Sequence, residues 1–237
     1  KQMLDVVTSE KCDNSPVIIF AHGGSWRWGQ KDYHRSIGKQ LARCGILFIT
    51  IDYRLFPEVT FPSFPKDVAL SVKWARRNVK EFGGDPNKIF LMGHSAGAHS
   101  VSLVGLDPQY LKLMGGGLDW VKGVIPIACP FQFDPTQEFL YRNLFPSEYN
   151  EDTTMPMGIK LKGEIPPFFI MHGFFDPIIR HEIAYDFADK INNSGGDAEV
   201  KIYNSHGHAS LIRRTTSWHL WPKPILNDIV SFIHSKR

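Results

Sequence analysis

The sequence predicts one α/β domain, residues 1–237, with a mostly parallel central sheet and helices on both of its faces. Three observations carry this. Short β-rich apolar runs alternate with segments of helical periodicity, as a parallel sheet requires, since each crossover must return over one face. Such runs, for example Ile46-Leu47-Phe48-Ile49 and Phe168-Phe169-Ile170-Met171, are strand-sized and far below the roughly 18 residues that span a bilayer. With 237 residues, 43% of them hydrophobic, the chain can bury a substantial core and still be one domain.

Taken in order, the strands are expected at Met3 to Val7, Val17 to Phe20, Ile46 to Ile51, Lys88 to Met92, Val121 to Ala128, Phe168 to Met171 and Ala198 to Tyr203. Between Ile51 and Lys88, the residues Val68, Val72, Ala75 and Val79 recur at helical spacing. Lys66, Lys73, Arg76, Arg77 and Lys80 take the other face. Gly83-Gly84 is the stop signal of that helix. Ile183, Phe187 and Ile191 mark a second helix, closed by Gly195-Gly196, and Ile225, Ile229, Phe232 and Ile233 mark a last one after Pro224. No internal repeat interrupts the pattern. The segment 131–164 is rich in proline and aromatic residues, among them Phe133, Phe139, Tyr141, Phe145 and Tyr149. It is too long for a plain connection, so it is either an excursion packed on the body or one wall of a substrate pocket.

A net charge of +3, with no basic block longer than Arg213-Arg214 or Lys236-Arg237, argues against nucleic acid as a partner. Cys12, Cys44 and Cys129 are odd in number and far apart; reduced, mostly buried thiols are expected rather than a disulfide framework or a closely spaced zinc site. No membrane span and no secretory leader is visible, and a cytoplasmic location is expected. The first residue is Lys1 rather than Met, which is compatible with a removed leader.

Gly93-His94-Ser95-Ala96-Gly97 stands between an expected strand and a small-residue helical stretch. That context gives the G-x-S-x-G pattern its meaning: a serine on a sharp strand-to-helix turn leaves no room for side chains two residues to either side. A serine hydroxyl needs a base within hydrogen-bond reach and a carboxylate to orient that base. With such a turn the expected chain order is serine, acid, histidine. Asp176 is the candidate acid, because it lies just past the end of the Phe168 strand, on the rim where open α/β sheets gather their sites. A turn-forming aspartate before Pro177 is the plain alternative. For the base, His206 and His208 both lie in the loop after the last strand. His208 is preferred, and a His-x-His zinc site finds no third ligand by spacing. The backbone amides of Gly24, Ser25 and Ala96 are candidate donors to an oxyanion, since His22-Gly23-Gly24-Ser25-Trp26 follows the Val17 strand.

On these residues the chain resembles the α/β-hydrolase superfamily. Within it, the resemblance is to the esterase branch that includes hormone-sensitive lipase, bacterial feruloyl and acetylxylan esterases, isoprenylcysteine methylesterase and kynurenine formamidase. The stretches that carry it are His22 to Trp26, Asp52-Tyr-Arg-Leu55, Gly83 to Ile89, Gly93 to His99, His172 to Asp176 and Tyr203 to His208. The resemblance implies the α/β-hydrolase fold, a Ser95, Asp176 and His208 triad, no cofactor or metal, and a small-molecule ester as substrate. An N-formyl aryl amide is the alternative substrate, and a non-enzymatic small-molecule-binding protein on the same scaffold is the alternative of another class. It favours His208 over His206, because in that family the catalytic histidine stands five positions after an aromatic residue such as Tyr203. Asp52 and Arg54 are expected to be scaffold. Gly-Gly-Ser-Trp replaces the three glycines usual near hormone-sensitive lipase, a departure toward the formamidase and methylesterase relatives. The chain also begins near what resembles the family's second strand, so no large cap domain is expected, and the pocket is expected to form from Trp26, Trp28 and the segment from Phe131 onward.

Overall fold

The structure, a computed structural model, describes residues 2–135, 140–141, 143–213 and 223–236. Lys1, Phe139, Arg214 and Arg237 lie outside the described residues. Seven strands form one sheet: β1 (Met3–Val7), β2 (Ser15–Ala21), β3 (Leu47–Asp52), β4 (Gly84–His94), β5 (Gly123–Ile127), β6 (Phe168–Gly173) and β7 (Ala198–Tyr203), in the order β1-β3-β2-β4-β5-β6-β7. Every pairing is parallel except that of β1 with β3. The described helices are α1 (Arg35–Arg43), α2 (Ser63–Asn78), α3 (Ala96–Leu106), α4 (Pro108–Lys112), α5 (Glu151–Thr154), α6 (Glu182–Asn193), α7 (Ser210–Arg213) and α8 (Lys223–Ser235). None is long and apolar enough to cross a membrane.

Alternation along each buried strand splits the core in two. Val17, Ile19 and Ala21 of β2 face the cluster built with Val68 and Val72 of α2, Val101 and Val104 of α3, and Phe187 and Ile191 of α6. Ile18 and Phe20 face the opposite way, toward Ile37 and Leu41 of α1 and Ile225, Ile229 and Ile233 of α8. Because side chains on a strand point alternately to its two faces, a run without polar residues is what a strand covered on both sides needs. Each such side chain contributes about 1.5–3 kcal/mol by leaving water.

Several boundaries differ from the sequence reading, most by one or two residues; three of them have a clear local cause. β4 begins at Gly84 rather than Lys88, since Gly84 pairs with Ser15 before the register shifts and Ile89 pairs with Val17. β5 is shorter than Val121 to Ala128: the Val121 N–H turns back to the Leu118 carbonyl, and Ala128 adopts a left-handed φ of 49°. α2 ends at Asn78, and a tighter turn over Val79–Phe82 carries the chain to Gly83. Cys12 and Cys129 are buried, Cys44 is exposed, and all three are free thiols.

The 131–164 segment divides into two parts. Its later part packs on the body, with Leu144, Phe145, Met155 and Ile159 in the core beside α2. The Leu144 carbonyl accepts from Phe61 N–H at 2.9 Å, and the Ile159 carbonyl accepts from Lys190 Nζ at 2.7 Å. Its first residue, Phe131, stacks on Phe187 of α6 at 3.9 Å between ring centroids. Of the described residues between them, Gln132, Phe133, Leu140 and Tyr141 line a cavity together with Ser95.

Candidate active site

Ser95 occupies the single-residue turn between β4 and α3, at φ 52° and ψ −117°. A side-chain-bearing residue held there costs of order 1–3 kcal/mol, which the surroundings offset. Its N–H donates to the Ile127 carbonyl at 2.9 Å, and its carbonyl accepts from His99 N–H at 3.0 Å. The flanking glycines are required by crowding. A Cβ on Gly97 would stand 2.1 Å from the Ala21 carbonyl oxygen, and one on Gly93 would stand 2.6 Å from the Gly97 carbonyl. The end of β2 is thereby pressed against the start of α3.

The structure brings His208, and not His206, to Ser95. His208 Nε2 lies 2.9 Å from Ser95 Oγ, and its Nδ1 lies 2.8 Å from Asp176 Oδ2. A carboxylate only accepts, so Nδ1 carries the ring proton and the Nε2 lone pair faces the serine hydroxyl. The His206 ring instead meets Ser205 Oγ at 3.0 Å, while its carbonyl accepts from Phe175 N–H. The His208 loop is anchored from the nucleophile turn: His94 Nε2 donates to the His208 carbonyl at 2.8 Å. Burial, reinforced by the neighbouring His208, pushes His94 down to about 4, so His94 makes that bond as a neutral ring.

Asp176 is fully satisfied. Oδ1 accepts from the N–H groups of Ile178 and Ile179, each at 2.9 Å. Oδ2 accepts from His208 and lies 3.1 Å from His172 Nε2. Burial alone would raise its pKa, but the bonds from His172, His208, Ile179 and Ile178 outweigh it and hold the carboxyl well below the usual carboxylate range. Asp176 is therefore held in its anionic form.

The loop after β2 supplies the opposite side. Gly24, at φ 127°, closes a tight turn in which its carbonyl accepts from Arg27 and Trp28 N–H, and a Cβ there would lie 2.1 Å from the Trp28 carbonyl oxygen. Ser25 and Trp26 follow at φ 52° and 55°. This sets Ser25 beside Ser95 in the wall of one cavity. Ala96 opens α3, where the first amides have no partner within the helix and the helix dipole favours negative charge.

That cavity, of about 570 Å³, has Ser95 and His208 at its floor. One wall comes from the early part of the excursion, with Pro130, Gln132, Phe133, Leu140 and Tyr141, and the other from Ile178, Ile179, Arg180 and Ile183 after Asp176. Trp26 joins them, buried at 2% exposure and packed edge-on against Tyr141 and Phe145 and face-on near Phe133. Arg27 ties the loop to the first wall, since Nε and Nη2 both donate to the Leu140 carbonyl at 3.0 and 2.6 Å. Trp28, expected in the pocket, is not part of it. The turn at Gly24 carries its side chain outward, where it is 58% exposed. The Ile178 to Ile183 wall was not read from the sequence. Its one signal is position, directly after an acid at a strand's end.

Asp52 and Arg54 do not line the cavity. Asp52 accepts from the Lys31 N–H at 2.7 Å. Arg54 holds the buried Asp67 through its backbone N–H, Nε and Nη2. Among the described residues no group of three or more His, Cys, Asp or Glu side chains converges as a metal-binding set.

Comparison with known proteins adds the following. A family model described as BD-FAE matches residues 4–117. The chain is 29% identical over 241 residues to the isoprenylcysteine alpha-carbonyl methylesterase ICME of Arabidopsis thaliana, a match covering 93% of this chain and 56% of that protein. It is 31% identical over 212 residues to the esterase LipC of Mycobacterium tuberculosis, covering 80% of this chain and 52% of the relative. The chain thus spans little more than half the length of these curated relatives. Among solved structures, the apo form of Thermogutta terrifontis esterase 2 matches with a TM-score of 0.82 at 20% identity, over 99% of this chain and 89% of that one. At that identity the likeness shows the fold: an α/β-hydrolase fold, a mostly parallel sheet flanked by helices, with no large cap domain among the described residues.

Proposed function

We infer that this member of the α/β-hydrolase superfamily is a serine esterase that cleaves small carboxylic esters through an acyl-enzyme, with Ser95, His208 and Asp176 as its triad. The observation that carries the reading is the unbroken line of hydrogen bonds from Asp176 through His208 to Ser95 Oγ, ending in the floor of a largely apolar cavity. The resemblance to proteins named as esterases and a methylesterase supports it.

In this mechanism Ser95 Oγ attacks the ester carbonyl carbon as His208 Nε2 takes its proton, and Asp176 stabilises the imidazolium that forms. The oxyanion is received by the amides of Ala96 and the Gly24-Ser25 turn. His208 then returns the proton to the departing alcohol. Water, deprotonated by the same ring, releases the acid and restores the serine. These steps require no cofactor. The aromatic and aliphatic walls favour an apolar acyl or alcohol group of modest size.

The test is turnover of p-nitrophenyl acetate and butyrate beside N-formylkynurenine, with wild type and the Ser95→Ala variant. Ester turnover that disappears in the variant is expected. Undiminished turnover would remove Ser95 from the mechanism, no turnover by wild type on any substrate would favour a binding protein, and preference for the formamide would move the substrate class.

A further inference from the structure

Asp176 receives two imidazoles on one oxygen, and the relay as described uses only one of them. His172, near the end of β6 and with a side chain fully removed from solvent, places Nε2 3.1 Å from Asp176 Oδ2 and 3.0 Å from the Ile179 carbonyl. Both neighbours are acceptors, so Nε2 carries the hydrogen: it donates to the Ile179 carbonyl, and the same N–H edge lies against Asp176 Oδ2. The other ring nitrogen, Nδ1, is buried and has no hydrogen-bond partner among the described residues, so the ring meets its polar surroundings through Nε2, as a donor.

We propose that His172 is a positioning residue of the relay, sharing Asp176 Oδ2 with His208 so that the carboxylate orients the base while holding its proton less tightly. This rests on the reading of His208 as the base. Each donor to a carboxylate draws down the negative potential available to the next. With His172 present, less of the Asp176 charge is left to hold the proton on His208 Nδ1. The orientation of Asp176 does not depend on His172, because Ile178 and Ile179 N–H hold Oδ1 independently. Removal of the His172 donor thus acts on the strength of the Asp176–His208 bond and leaves its direction in place. Among the described residues, the other titratable or charged groups around His208 are His94, whose ring centroid is 5.0 Å away on the turn before Ser95, His206 in its own loop and Arg180 in the cavity wall. All three are unchanged in the comparison below.

The variants are His172→Leu, which removes the donor, and His172→Gln, whose amide N–H can reach the same acceptors. Two readouts apply: the acid limb of kcat/KM on p-nitrophenyl butyrate, and the ¹⁵N titration of the His208 ring, assigned by difference with His208→Gln. Sites are counted with a fluorophosphonate so that misfolded protein does not enter kcat. In His172→Leu both the acid limb and the ring titration are expected to move to higher pH by about 0.5–1 unit, and in His172→Gln both return toward wild type. His172→Met repeats the comparison should the leucine variant not fold. An unmoved or lowered His208 titration, or a glutamine variant that behaves like leucine, would overturn the proposal and leave His172 as packing. Turnover that survives in Ser95→Ala would sink the esterase reading instead, while the ring titration would still report on His172.

Discussion

Replacing Asp176 with asparagine tests the relay at the point where its hydrogen-bond inventory is complete. Oδ1 faces two N–H groups, from Ile178 and Ile179, and Oδ2 faces the two histidines. An amide has one accepting end, and two fixed backbone donors claim it; the opposite orientation would aim the NH₂ group at both N–H groups. The NH₂ must then point at His208 Nδ1, which can only meet it as an acceptor. The ring proton moves to Nε2, toward Ser95 Oγ, and the lone pair that should receive the serine proton is gone. The shape is retained and the tautomer is wrong. Such a change costs about 10⁴ in kcat where the same constellation has been dissected, or about 5.5 kcal/mol in the barrier. The assay is steady-state hydrolysis of p-nitrophenyl butyrate, with circular dichroism and thermal melting to show that the Asp176→Asn variant is folded. A folded variant within tenfold of wild type would refute the reasoning. The same inventory fixes a pH dependence. Because the folded-state pKa of Asp176 is depressed, its contribution to stability is complete above the ordinary carboxylate range and is lost only as pH falls through the lower folded value. The acid limb of activity should therefore not follow Asp176.

Two further outcomes are expected. Gly97→Ala places a methyl group 2.1 Å from the Ala21 carbonyl oxygen, and since the obstacle is backbone, the variant should lose about 3 kcal/mol. A melting point lowered by roughly 6–12 °C would register this, and an unchanged one would show that β2 and α3 can separate at little cost. His208→Ala should lower kcat by roughly 10⁴-fold or more, whereas His206→Ala should stay within a few-fold of wild type on the same ester. The reverse order would reassign the base.

The scaffold was legible because burial on both faces leaves a plain mark: Val17 to Phe20 and Phe168 to Met171 are unbroken apolar runs, and a fully covered strand has no other way to be written. Ser95, Asp176 and His208 were legible for a different reason. Each stands just beyond a strand's end, so chain order already implied spatial proximity. The cavity walls were not. Ile178 and Ile183 follow no period that distinguishes a wall from ordinary packing, and Trp28 and Trp26 look equivalent in sequence although the turn at Gly24 sends them to opposite environments. The His172 contact with Asp176 is likewise hidden, because it depends on the chain doubling back through Ile179. Side chains set by periodicity or by strand ends were readable; those set by the path of a turn were not.

The contact between Gly97 and the carbonyls of Ala21 and His22 divides the molecule into parts with different freedom to vary. The spacing between Ser95 and the Gly24-Ser25 turn is set by main chain touching main chain, with no rotamer in between to adjust it. The cavity walls are hung on separate connections, after β5 and after β6. For an engineer, this makes the floor a fixed gauge and the walls interchangeable jaws. Phe133, Ile178 and Ile183 can be exchanged to change what is gripped, while the alignment of Ser95 with the Gly24-Ser25 turn is inherited unchanged from the backbone beneath.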